Sequence, residues 1–529
     1  MGNLDIDLQS IQEVRELIRK AKEAQKKLAG MSQVEIDRIV KAIADAGVQH
    51  AERLARMAQE ETGFGRWQDK IVKNTFASQV VYDHIKDMKT VGIINEDKER
   101  KVIEVAVPVG VIAGLIPSTN PTSTAIYKAM IAIKSGNAII FSPHPSAKNC
   151  ILETVKIISS AAVSAGAPEG VIGSMTLLTM EGTNELMKHN DVSLILATGG
   201  SAMVKAAYSS GTPAIGVGPG NGPAFIEKSA DIKLAVKRIL DSKTFDNGTI
   251  CASEQSIVVE ECMRDRAVEE LRRQGAYFLS REEAAKLEKF IMRANGTMNP
   301  QIVGKSVEAI AELANLNVPQ GTRVLIAEET RVGYQYPYSR EKLAPILAFY
   351  CESTWEKACE RCIEILNNEG AGHTLIIHSN NEEIIREFAL KKPVSRLLVN
   401  TPGALGGIGA TTGLVPALTL GCGAIGGSST SDNIGPMNLI NIRRTVYGVK
   451  ELEDLRPSDN TIDTRFSIAD TRFSEPDTRF TIGDTRFTEP DTRFTRPCAD
   501  NNTCNEKKEE ISEEQIARLL KEVIAQLNN

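Results

Sequence analysis

Apolar side chains recur at helical spacing through residues 1–60. Ile11, Val14, Leu17 and Ile18 fall on one face among glutamate, lysine and arginine residues. Positions that repeat every three or four residues indicate an amphipathic helix with one buried face. The pattern therefore predicts that residues 1–60 are helical.

Between residues 102 and 227 the pattern changes to short apolar runs that alternate with helical segments. The runs that suit buried strands are Val109–Ile116, Asn137–Phe141, Val192–Thr198 and Pro213–Val217. Helical patterns lie between them, for instance Ser123–Ser135 and Asn149–Ala165. Strands that alternate with helices at this spacing indicate crossover units around a parallel sheet. A second block of the same kind follows at about residues 231–415, so we predict an α/β protein.

Glycine is dense at residues 403–413 (GALGGIGATTG) and 421–427 (GCGAIGG). The letters GCGAIG match the GxGxxG pattern of dinucleotide-binding loops and follow the apolar run Val415–Leu420. Polar residues 427–433 stand where this fingerprint needs a helix, and no acidic residue follows at a suitable distance. We therefore do not predict the dinucleotide loop at this position.

The tail carries five DTRF repeats at a period of seven residues. The repeats begin at Asp463, Asp470, Asp477, Asp484 and Asp491. A seven-residue period is typical of coiled coils, but Pro476, Gly483 and Pro490 interrupt any helix here. Because the segment has few aliphatic residues and no core of its own, residues 456–510 are predicted to be a disordered linker rather than a specific binding array.

Residues 511–529 are predicted to form an amphipathic helix. Ser512 and Gln515 fit a capping box at its start. Apolar side chains then form one stripe, at Ile516, Leu519, Leu520, Val523, Ile524 and Leu527. A lone helix this short is marginal in water, so it needs a surface to pack on. After a flexible linker we favour docking on another protein, and packing on the protein's own body is the alternative.

Composition narrows the class of protein. The 529 residues are 42% hydrophobic and 25% charged, which is ordinary for a soluble globular protein of more than one domain. A net charge of −6 argues against nucleic acid or an anionic membrane as the main partner. No run of 18 or more apolar residues is present, so no membrane span is expected. The acidic residues 1–9 do not resemble a secretory signal.

The nine cysteines are scattered along the chain. Cys359 and Cys362 have CxxC spacing, but no second pair stands near them to complete a zinc site, so no metal is predicted. Buried, reduced thiols of a cytosolic protein account for most of the nine. Cys251 differs, because the polar turn at residues 246–248 stands just before it and suits an exposed thiol.

The segment around Cys251, FDNGTICASE at residues 245–254, resembles the nucleophile loop of the aldehyde dehydrogenase superfamily. Other segments match the same superfamily in the right order. Leu115–Ser123 is similar to the loop that carries an oxyanion-hole asparagine, here Asn120. Thr198–Ser201, directly after a predicted strand, is similar to the turn that packs under the cofactor pyrophosphate. Glu341, in EKLAPI, is similar to the glutamate that binds the nicotinamide ribose.

These segments together cover about residues 10–450. The resemblance implies an α/β, aldehyde dehydrogenase-like fold with a Rossmann-type NAD-binding domain and an α/β catalytic domain. It implies that Cys251 is the nucleophile and that Asn120 stabilises the oxyanion. The cofactor-binding residues that it implies are Ile116, Pro117, Ser118, Ser142, Thr198, Gly199, Gly200, Ser201, Gly218 and Glu341.

The predicted division of the chain follows from these matches. Residues 1–230 form the NAD-binding domain with its N-terminal helices, and residues 231–415 form the catalytic domain. Residues 416–455 return to the core or serve oligomerisation. The linker at 456–510 and the terminal helix at 511–529 complete the chain.

Two departures from the superfamily pattern point to its CoA-acylating branch. In hydrolytic members a glutamate in an ELGGKSP-like segment activates water, whereas Val217 takes that place in residues 217–223 here. Valine cannot accept a proton, so water attack has lost its base. Ser142, in FSPHP, replaces a lysine that usually follows the cofactor strand. The branch also has a glycine-flanked histidine, which makes His373 in GAGHT the candidate for moving protons on coenzyme A or Cys251; a structural, hydrogen-bonded histidine is the alternative.

The resemblance implies that a short-chain aldehyde, acetaldehyde or propionaldehyde, is oxidised with NAD and coenzyme A to acyl-CoA and NADH through a cysteine thioester. It also implies a homo-oligomer. The microcompartment enzymes of this branch fit best, which implies a cytoplasmic location inside a bacterial microcompartment, with residues 511–529 as an encapsulation peptide for a shell or cargo protein. Because no second large domain follows, we expect the dehydrogenase alone rather than the bifunctional enzyme.

Two alternatives stay open. A hydrolytic aldehyde dehydrogenase that uses another base would form NADH without coenzyme A. A catalytically silent scaffold would recruit partners through the tail, but it would leave Cys251 and Glu341 free to vary, and both are present.

Overall fold

A computed structural model describes residues 5–456 of the chain. The chain divides into two compact units, Met1–Val449 and Lys450–Asn529. Of the second unit the structure describes residues 450–456, which contain a 3-10 turn at Glu453–Leu455. The predicted DTRF segment beyond residue 456 and the predicted helix at 511–529 lie outside the described residues.

The strands of the first unit are numbered in chain order. They are β1 (Gly92–Asp97), β2 (Val102–Pro108), β3 (Val111–Ile116), β4 (Ala138–Pro143), β5 (Ile172–Ser174), β6 (Val192–Thr198), β7 (Ala214–Val217), β8 (Gly222–Ile226), β9 (Glu254–Glu260), β10 (Ala276–Phe278), β11 (Val324–Glu328), β12 (Ile346–Glu352), β13 (Gly372–His378), β14 (Val394–Val399) and β15 (Ile440–Val446).

The α-helices are numbered in the same way. They are α1 (Ile6–Leu28), α2 (Gln33–Gln49), α3 (Ala51–Thr62), α4 (Trp67–Thr75), α5 (Val81–Ile85), α6 (Pro121–Lys134), α7 (Lys148–Ser164), α8 (Met180–Lys188), α9 (Ser201–Tyr208), α10 (Ile232–Thr244), α11 (Arg264–Arg273), α12 (Arg281–Ile291), α13 (Val307–Leu313), α14 (Trp355–Asn368), α15 (Glu382–Lys391) and α16 (Gly403–Gly407). No helix in residues 5–456 is both long and apolar enough to cross a lipid bilayer.

The N-terminal helices confirm the predicted pattern. Val14 and Ile18 of α1 are fully buried in the core that these helices share with β3, β4 and β6. A capping box starts α2, in which Ser32 and Glu35 each accept a hydrogen bond from the other's backbone N–H. The apolar stripe of α1 therefore packs on the first sheet and that of α2 on α6 and α7, while the charged faces of both helices stay outside.

The first sheet is parallel and has the strand order β5-β4-β3-β6-β7. Its strands β3, β4, β6 and β7 confirm the four runs predicted as buried strands, and α6 and α7 confirm the helices predicted between them. Every residue of β3 is buried, as expected when helices cover both faces of a parallel sheet. Strands β4 and β5 are added on one side of β3, and β6 and β7 on the other, so the strand order reverses between β3 and β6. Ligands of open α/β sheets bind at the carboxyl ends of the strands at such a point.

The second sheet is also parallel, with the order β10-β11-β12-β9-β8-β13-β14. Two cores lie on its opposite faces: Phe225 and Val258 belong to one, whereas Ile226 and Val259 belong to the other. Neighbouring residues on a strand point to opposite faces, so both faces are apolar and covered. This sheet starts at Gly222, ahead of the predicted boundary at residue 230, and the predicted domain division stays a prediction.

The third sheet is antiparallel, with the order β1-β2-β15. It brings Ile440–Val446 back to residues 102–108, far earlier in the chain. The oligomerisation role predicted for residues 416–455 stays a prediction.

Candidate active site

Cys251 and His373 meet at the amino ends of two strands. Cys251 lies in the loop before β9, and His373 is the second residue of β13. Because β9 and β13 flank β8 and run parallel to it, their amino ends lie at the same edge of the sheet. His373 Nε2 lies 3.2 Å from Cys251 Sγ, which is hydrogen-bonding distance for a sulfur atom. The two predicted catalytic residues are therefore brought together.

The surroundings of the pair set the protonation of both groups. Burial raises the pKa of Cys251 to about 12, and Glu341 and Cys422 add to the rise. Burial lowers the pKa of His373 to about 3, with a further contribution from the Arg396 guanidinium. The free site therefore holds a thiol beside a neutral imidazole rather than an ion pair.

A hydroxyl and a guanidinium fix the tautomer of His373. Thr374 Oγ1 lies 2.9 Å from His373 Nδ1, and Arg396 Nε donates to the same oxygen at 3.4 Å. Arginine has no acceptor, so the threonine oxygen accepts from it; among the contacts of the described residues, His373 Nδ1 is the acceptor within reach of the threonine proton, and we assign that proton to it. Assigned from this hydrogen-bond pattern, the ring proton is on Nε2 and faces the sulfur. His373 is thus an N–H donor to a thiolate at position 251.

Asn120 stands on the other side of Cys251. It precedes Pro121, the first residue of α6, and lies at the carboxyl end of β3. Its Nδ2 donates to the carbonyl oxygen of Thr249 at 3.2 Å and to Thr119 Oγ1 at 3.3 Å, so the amide is tied to the nucleophile loop. Asn120 and Cys251 line one cavity of about 410 Å³. The predicted oxyanion donor therefore faces the same space as the nucleophile.

The same cavity extends to the first sheet. The predicted cofactor-binding residues that line it are Pro117, Ser118, Thr198, Gly199, Gly200, Gly218 and Glu341. A Cβ atom built on Gly200 would have nothing within 4 Å, so the backbone before α9 is open to a ligand. Backbone N–H groups at the start of a helix suit a diphosphate, and the position matches the strand reversal between β3 and β6. These residues fit a dinucleotide.

Glu341 and the loop before β8 also contact each other. Glu341 Oε1 accepts a hydrogen bond from Gly220 N at 2.9 Å, and burial with the nearby Glu369 raises the pKa of Glu341 to about 8. A Cβ on Gly220 would come within 1.9 Å of the carbonyl oxygen of Cys251. Residue 220 must therefore be glycine for the loop to lie against the nucleophile.

The other predicted residues have different places. Ile116 is buried in β3, and Ser142 is buried in β4 with its hydroxyl 3.1 Å from Thr183 Oγ1. Ser201 is the first residue of α9. The GxGxxG look-alike at residues 421–426 ends in a 3-10 turn rather than an α-helix, as expected. In residues 5–456 no group of three His, Cys, Asp or Glu side chains is placed to hold a metal ion.

One expectation for the polar residues near Cys251 is wrong. Asp246 is fully buried, not part of an exposed turn, because two lysines pair with its carboxylate. Glu254 is fully buried as well, and its Oε1 accepts a hydrogen bond from Gly403 N at 2.8 Å. Burial raises the pKa of Glu254 to about 7.

Sequence reasoning missed four residues that hold the site. Lys70 and Lys73 of α4 contact the Asn120 side, and Thr374 and Arg396 hold the His373 side. Charged residues on a short helix usually mark a solvated face, so the sequence did not indicate that Lys70 and Lys73 are buried beside the site. Thr374 directly follows His373 in the chain, and this adjacency was the sequence feature that could have indicated its role.

Residues 4–411 match the sequence profile of the Aldehyde dehydrogenase family. This match spans most of the chain, and the protein belongs to that family. The bifunctional aldehyde-alcohol dehydrogenase AdhE of Escherichia coli K12 is 45% identical over 442 residues, which are 83% of this chain and 49% of the relative. The succinate-semialdehyde dehydrogenase (acetylating) of Clostridium kluyveri is 41% identical over 438 residues, 83% of this chain and 96% of the relative. The chain thus spans about half the length of the aldehyde-alcohol dehydrogenase.

Solved structures agree with the fold. A probable aldehyde dehydrogenase from Listeria monocytogenes EGD-e is 71% identical with a TM-score of 0.85, covering 86% of this chain and 100% of that one. An acetylating aldehyde dehydrogenase from Geobacillus thermoglucosidasius is 55% identical with a TM-score of 0.84, covering 85% and 99%. A propionaldehyde dehydrogenase from the fucose utilisation bacterial microcompartment of Clostridium phytofermentans is 29% identical with a TM-score of 0.75, covering 82% and 97%. The predicted fold and the resemblance to the acylating branch are confirmed.

Proposed function

We propose that the protein oxidises a short-chain aldehyde with NAD and coenzyme A to acyl-CoA and NADH, through a thioester on Cys251. The observation that carries the proposal is the 3.2 Å contact between Cys251 Sγ and His373 Nε2, beside a cavity that Cys251 lines and where Val217 stands in place of a base. An N–H donor beside the sulfur supports both attack and departure of a thiolate.

The chain's own residues support each stage. Cys251 releases its thiol proton to solvent and its thiolate attacks the aldehyde carbon, while Asn120 Nδ2 with the Cys251 backbone N–H stabilises the oxyanion that forms. NAD, when bound, accepts the hydride. The coenzyme A thiol releases its proton to solvent, its sulfur attacks the thioester carbonyl carbon, and the Cys251 sulfur leaves as a thiolate. His373 donates its Nε2 proton to this leaving sulfur in a hydrogen bond, which makes the sulfur a better leaving group.

Coenzyme A rather than water is the proposed acceptor. Val217 lines the cavity and is nearly fully buried at the end of β7. A valine side chain gives water no base, and its apolar surface disfavours a water molecule held beside the thioester. A coenzyme A thiol is a strong nucleophile once ionised and needs less activation than water.

An uncharged aldehyde fits the cavity best. Apolar side chains that line it include Ile408, Leu418 and Leu420. The cations Lys73 and Arg340 also line it, but each already contacts a carboxylate of the protein, on Asp246 or Glu369. Arg340 is thus directed at Glu369, and Lys73 at Asp246 and Asn120, so neither side chain is oriented to bind a charged group of the aldehyde. Acetaldehyde and propionaldehyde are the proposed substrates.

We also propose that the enzyme works inside a bacterial microcompartment, as a homo-oligomer attached through residues 511–529. The amphipathic sequence pattern of that segment and the likeness to a microcompartment propionaldehyde dehydrogenase support this. A fusion of residues 511–529 to a fluorescent protein is expected to co-purify with microcompartment shells from the source cell. A fusion in which Leu519 and Leu520 are replaced by Asp is the control, and equal recovery of both fusions would contradict the proposal.

The reaction is tested by following NADH absorbance with NAD and acetaldehyde or propionaldehyde, adding coenzyme A after a baseline. Sustained NADH formation is expected to begin with coenzyme A and to be absent in Cys251→Ala. Cys351→Ala, which removes an exposed thiol of β12, is the matched control. Steady NADH formation without coenzyme A would favour a hydrolytic enzyme, and no NADH under any condition would favour a scaffold.

A further inference from the structure

A buried lysine holds the side chain of Asn120. Lys73 Nζ donates to Asn120 Oδ1 at 2.5 Å and to Thr249 Oγ1 at 2.9 Å, and it pairs with Asp246. The lysine is 2% exposed, although it lies on α4 and Asn120 lies beyond β3. An ammonium has donors and no acceptor, so the contact identifies the Asn120 atom beside it as the oxygen. Nδ2 is therefore turned away from Lys73.

We propose that Lys73 is a positioning residue, which orients and polarises the Asn120 amide for oxyanion stabilisation. The inference rests on the proposed function. A cation hydrogen-bonded to an amide oxygen draws electron density toward that oxygen and makes the amide N–H a stronger donor. The N–H donors of Asn120 are strengthened in this way before any substrate binds, which is preorganisation rather than a response to charge.

Asp246 is the anchor of Lys73. Its carboxylate accepts hydrogen bonds from Lys70 Nζ at 2.9 Å, from Thr249 Oγ1 at 2.8 Å and from Arg66 N at 2.7 Å, besides the contact with Lys73. The backbone of Asp246 has φ +50°, a strained conformation for a residue other than glycine. Strain of this kind persists where the surroundings fix a residue, and here the four donors do so.

Gly65 leaves space for the carboxylate of Asp246. A Cβ on Gly65 would lie 1.8 Å from Asp246 Oδ1, so a side chain at position 65 would displace the carboxylate. Gly65 itself has φ +72°, which glycine adopts at little cost. The loop between α3 and α4 is therefore shaped to fit Asp246 and, through it, Lys73.

The cluster carries a surplus of positive charge beside Asn120. Lys70 and Lys73 share the single carboxylate of Asp246, while the carboxylate of Asp69 accepts from Asp246 N and lies 3.8 Å from Arg66. Burial and the neighbouring Lys70 lower the pKa of Lys73 to about 8, against the opposing effect of Asp246. A surplus positive charge at this point favours the negative charge that develops on the substrate oxygen.

Lys70 provides a matched control. It is as buried as Lys73 and pairs with the same Asp246 oxygen, but its remaining contact is the Thr119 carbonyl oxygen at 3.1 Å rather than the Asn120 side chain. Loss of a buried charge from the cluster is thus common to Lys70→Met and Lys73→Met. Loss of the contact with the Asn120 amide is specific to Lys73→Met.

The test is a double-mutant cycle on kcat with aldehyde, NAD and coenzyme A. Lys73→Met is expected to lower kcat on the order of 10-fold with Asn120 present and to have little effect in the Asn120→Ala background. Lys70→Met is expected to give the same fold-change in both backgrounds. The KM for the aldehyde is expected to change less than kcat, since the effect belongs to the transition state.

An equal loss from Lys73→Met in both backgrounds would overturn the proposal. Asp246 keeps Lys70 as its partner when Lys73 is replaced, so no buried carboxylate is left unpaired. Thermal unfolding of each variant checks that the fold is kept, and the cycle is repeated with Lys73→Leu, which carries the same expectation. The unchanged enzyme reports on the proposed function independently. If it forms NADH with coenzyme A while the cycle is additive, only the role of Lys73 fails; if it forms no NADH, the proposed function fails.

Discussion

His373 Nε2 and Cys251 Sγ lie 3.2 Å apart, although 122 positions separate the two residues in the chain. The second sheet makes the contact possible: β9 and β13 flank β8, His373 lies at the amino end of β13, and Cys251 lies in the loop that leads into β9. Parallel pairing sets the register of all three strands, so the distance follows from the core of the sheet rather than from the loops alone.

Loss of the imidazole is expected to slow turnover. His373→Ala removes the N–H donor to the leaving sulfur, and kcat with coenzyme A is expected to fall roughly 100-fold. His378→Asn is the matched control, because His378 is equally buried at the opposite end of β13. Its kcat is expected to stay close to that of the unchanged enzyme. Equal losses in the two variants would indicate damage to the strand rather than a role in the reaction.

The hydroxyl of Thr374 is expected to matter through the tautomer of His373. Thr374→Val removes the group that lies between Arg396 and His373 Nδ1, and it keeps the shape of the side chain. We expect kcat to fall on the order of 10-fold, because the ring proton is no longer held on Nε2. Thr374→Ser keeps the hydroxyl and is expected to retain most of the activity. A Thr374→Val enzyme as active as the serine variant would contradict the assignment.

The reactivity of Cys251 is expected to rise steeply with pH in the enzyme without ligands. The thiolate is the reactive form, and the pKa of Cys251 is raised to about 12. Alkylation of Cys251 by iodoacetamide, followed by peptide mass spectrometry, is therefore expected to speed up about tenfold per pH unit from pH 7 to 10. Because the pKa of His373 is lowered to about 3, its imidazole stays neutral and adds no second inflection to this pH profile near 6.5. A plateau below pH 8 would show that a thiolate–imidazolium pair forms instead.

Glu254 is expected to make stability depend on pH. Its pKa is raised from 4.5 to about 7, so the folded state holds the carboxyl proton more tightly than the unfolded chain does. This contribution is fully present below pH about 4.5 and is lost as the pH rises through about 7. Glu254→Gln carries no charge to bury, and its Tm relative to the unchanged protein is expected to rise by on the order of 5 °C from pH 5 to pH 8. Thermal unfolding at both pH values measures this.

Glu282→Gln, on the exposed face of α12, is the control for that experiment. A Tm difference for Glu254→Gln that does not change with pH would mean that Glu254 is already ionised in the folded state at pH 5.

The strands and helices of the first sheet were predictable because burial on both faces gives continuous apolar runs. Val192–Thr198 was predicted with the bounds that β6 has in the structure. Cys251, Asn120 and His373 were found through motifs whose order is tied to the fold. Spacing alone did not indicate that Cys251 and His373 touch, since strand order is a property of the whole sheet.

The supporting residues were not predictable for a different reason. A lysine on a helix with other charged residues is usually solvated, and the sequence does not reveal that Lys73 and Asp246 pair in the interior. The pair forms because α4 packs beside the nucleophile loop, a contact between segments that lie far apart in the chain. The same applies to Arg396, which reaches Thr374 from the neighbouring strand β14.

The most direct test of the central claim is the mass of the intact protein after a single turnover. With NAD and propionaldehyde but without coenzyme A, one propionyl group is expected to remain on Cys251, because Val217 gives water no base. Adding coenzyme A is expected to restore the original mass and to yield propionyl-CoA. A protein that returns to its original mass without coenzyme A, or that carries the acyl group on a residue other than Cys251, would contradict the account.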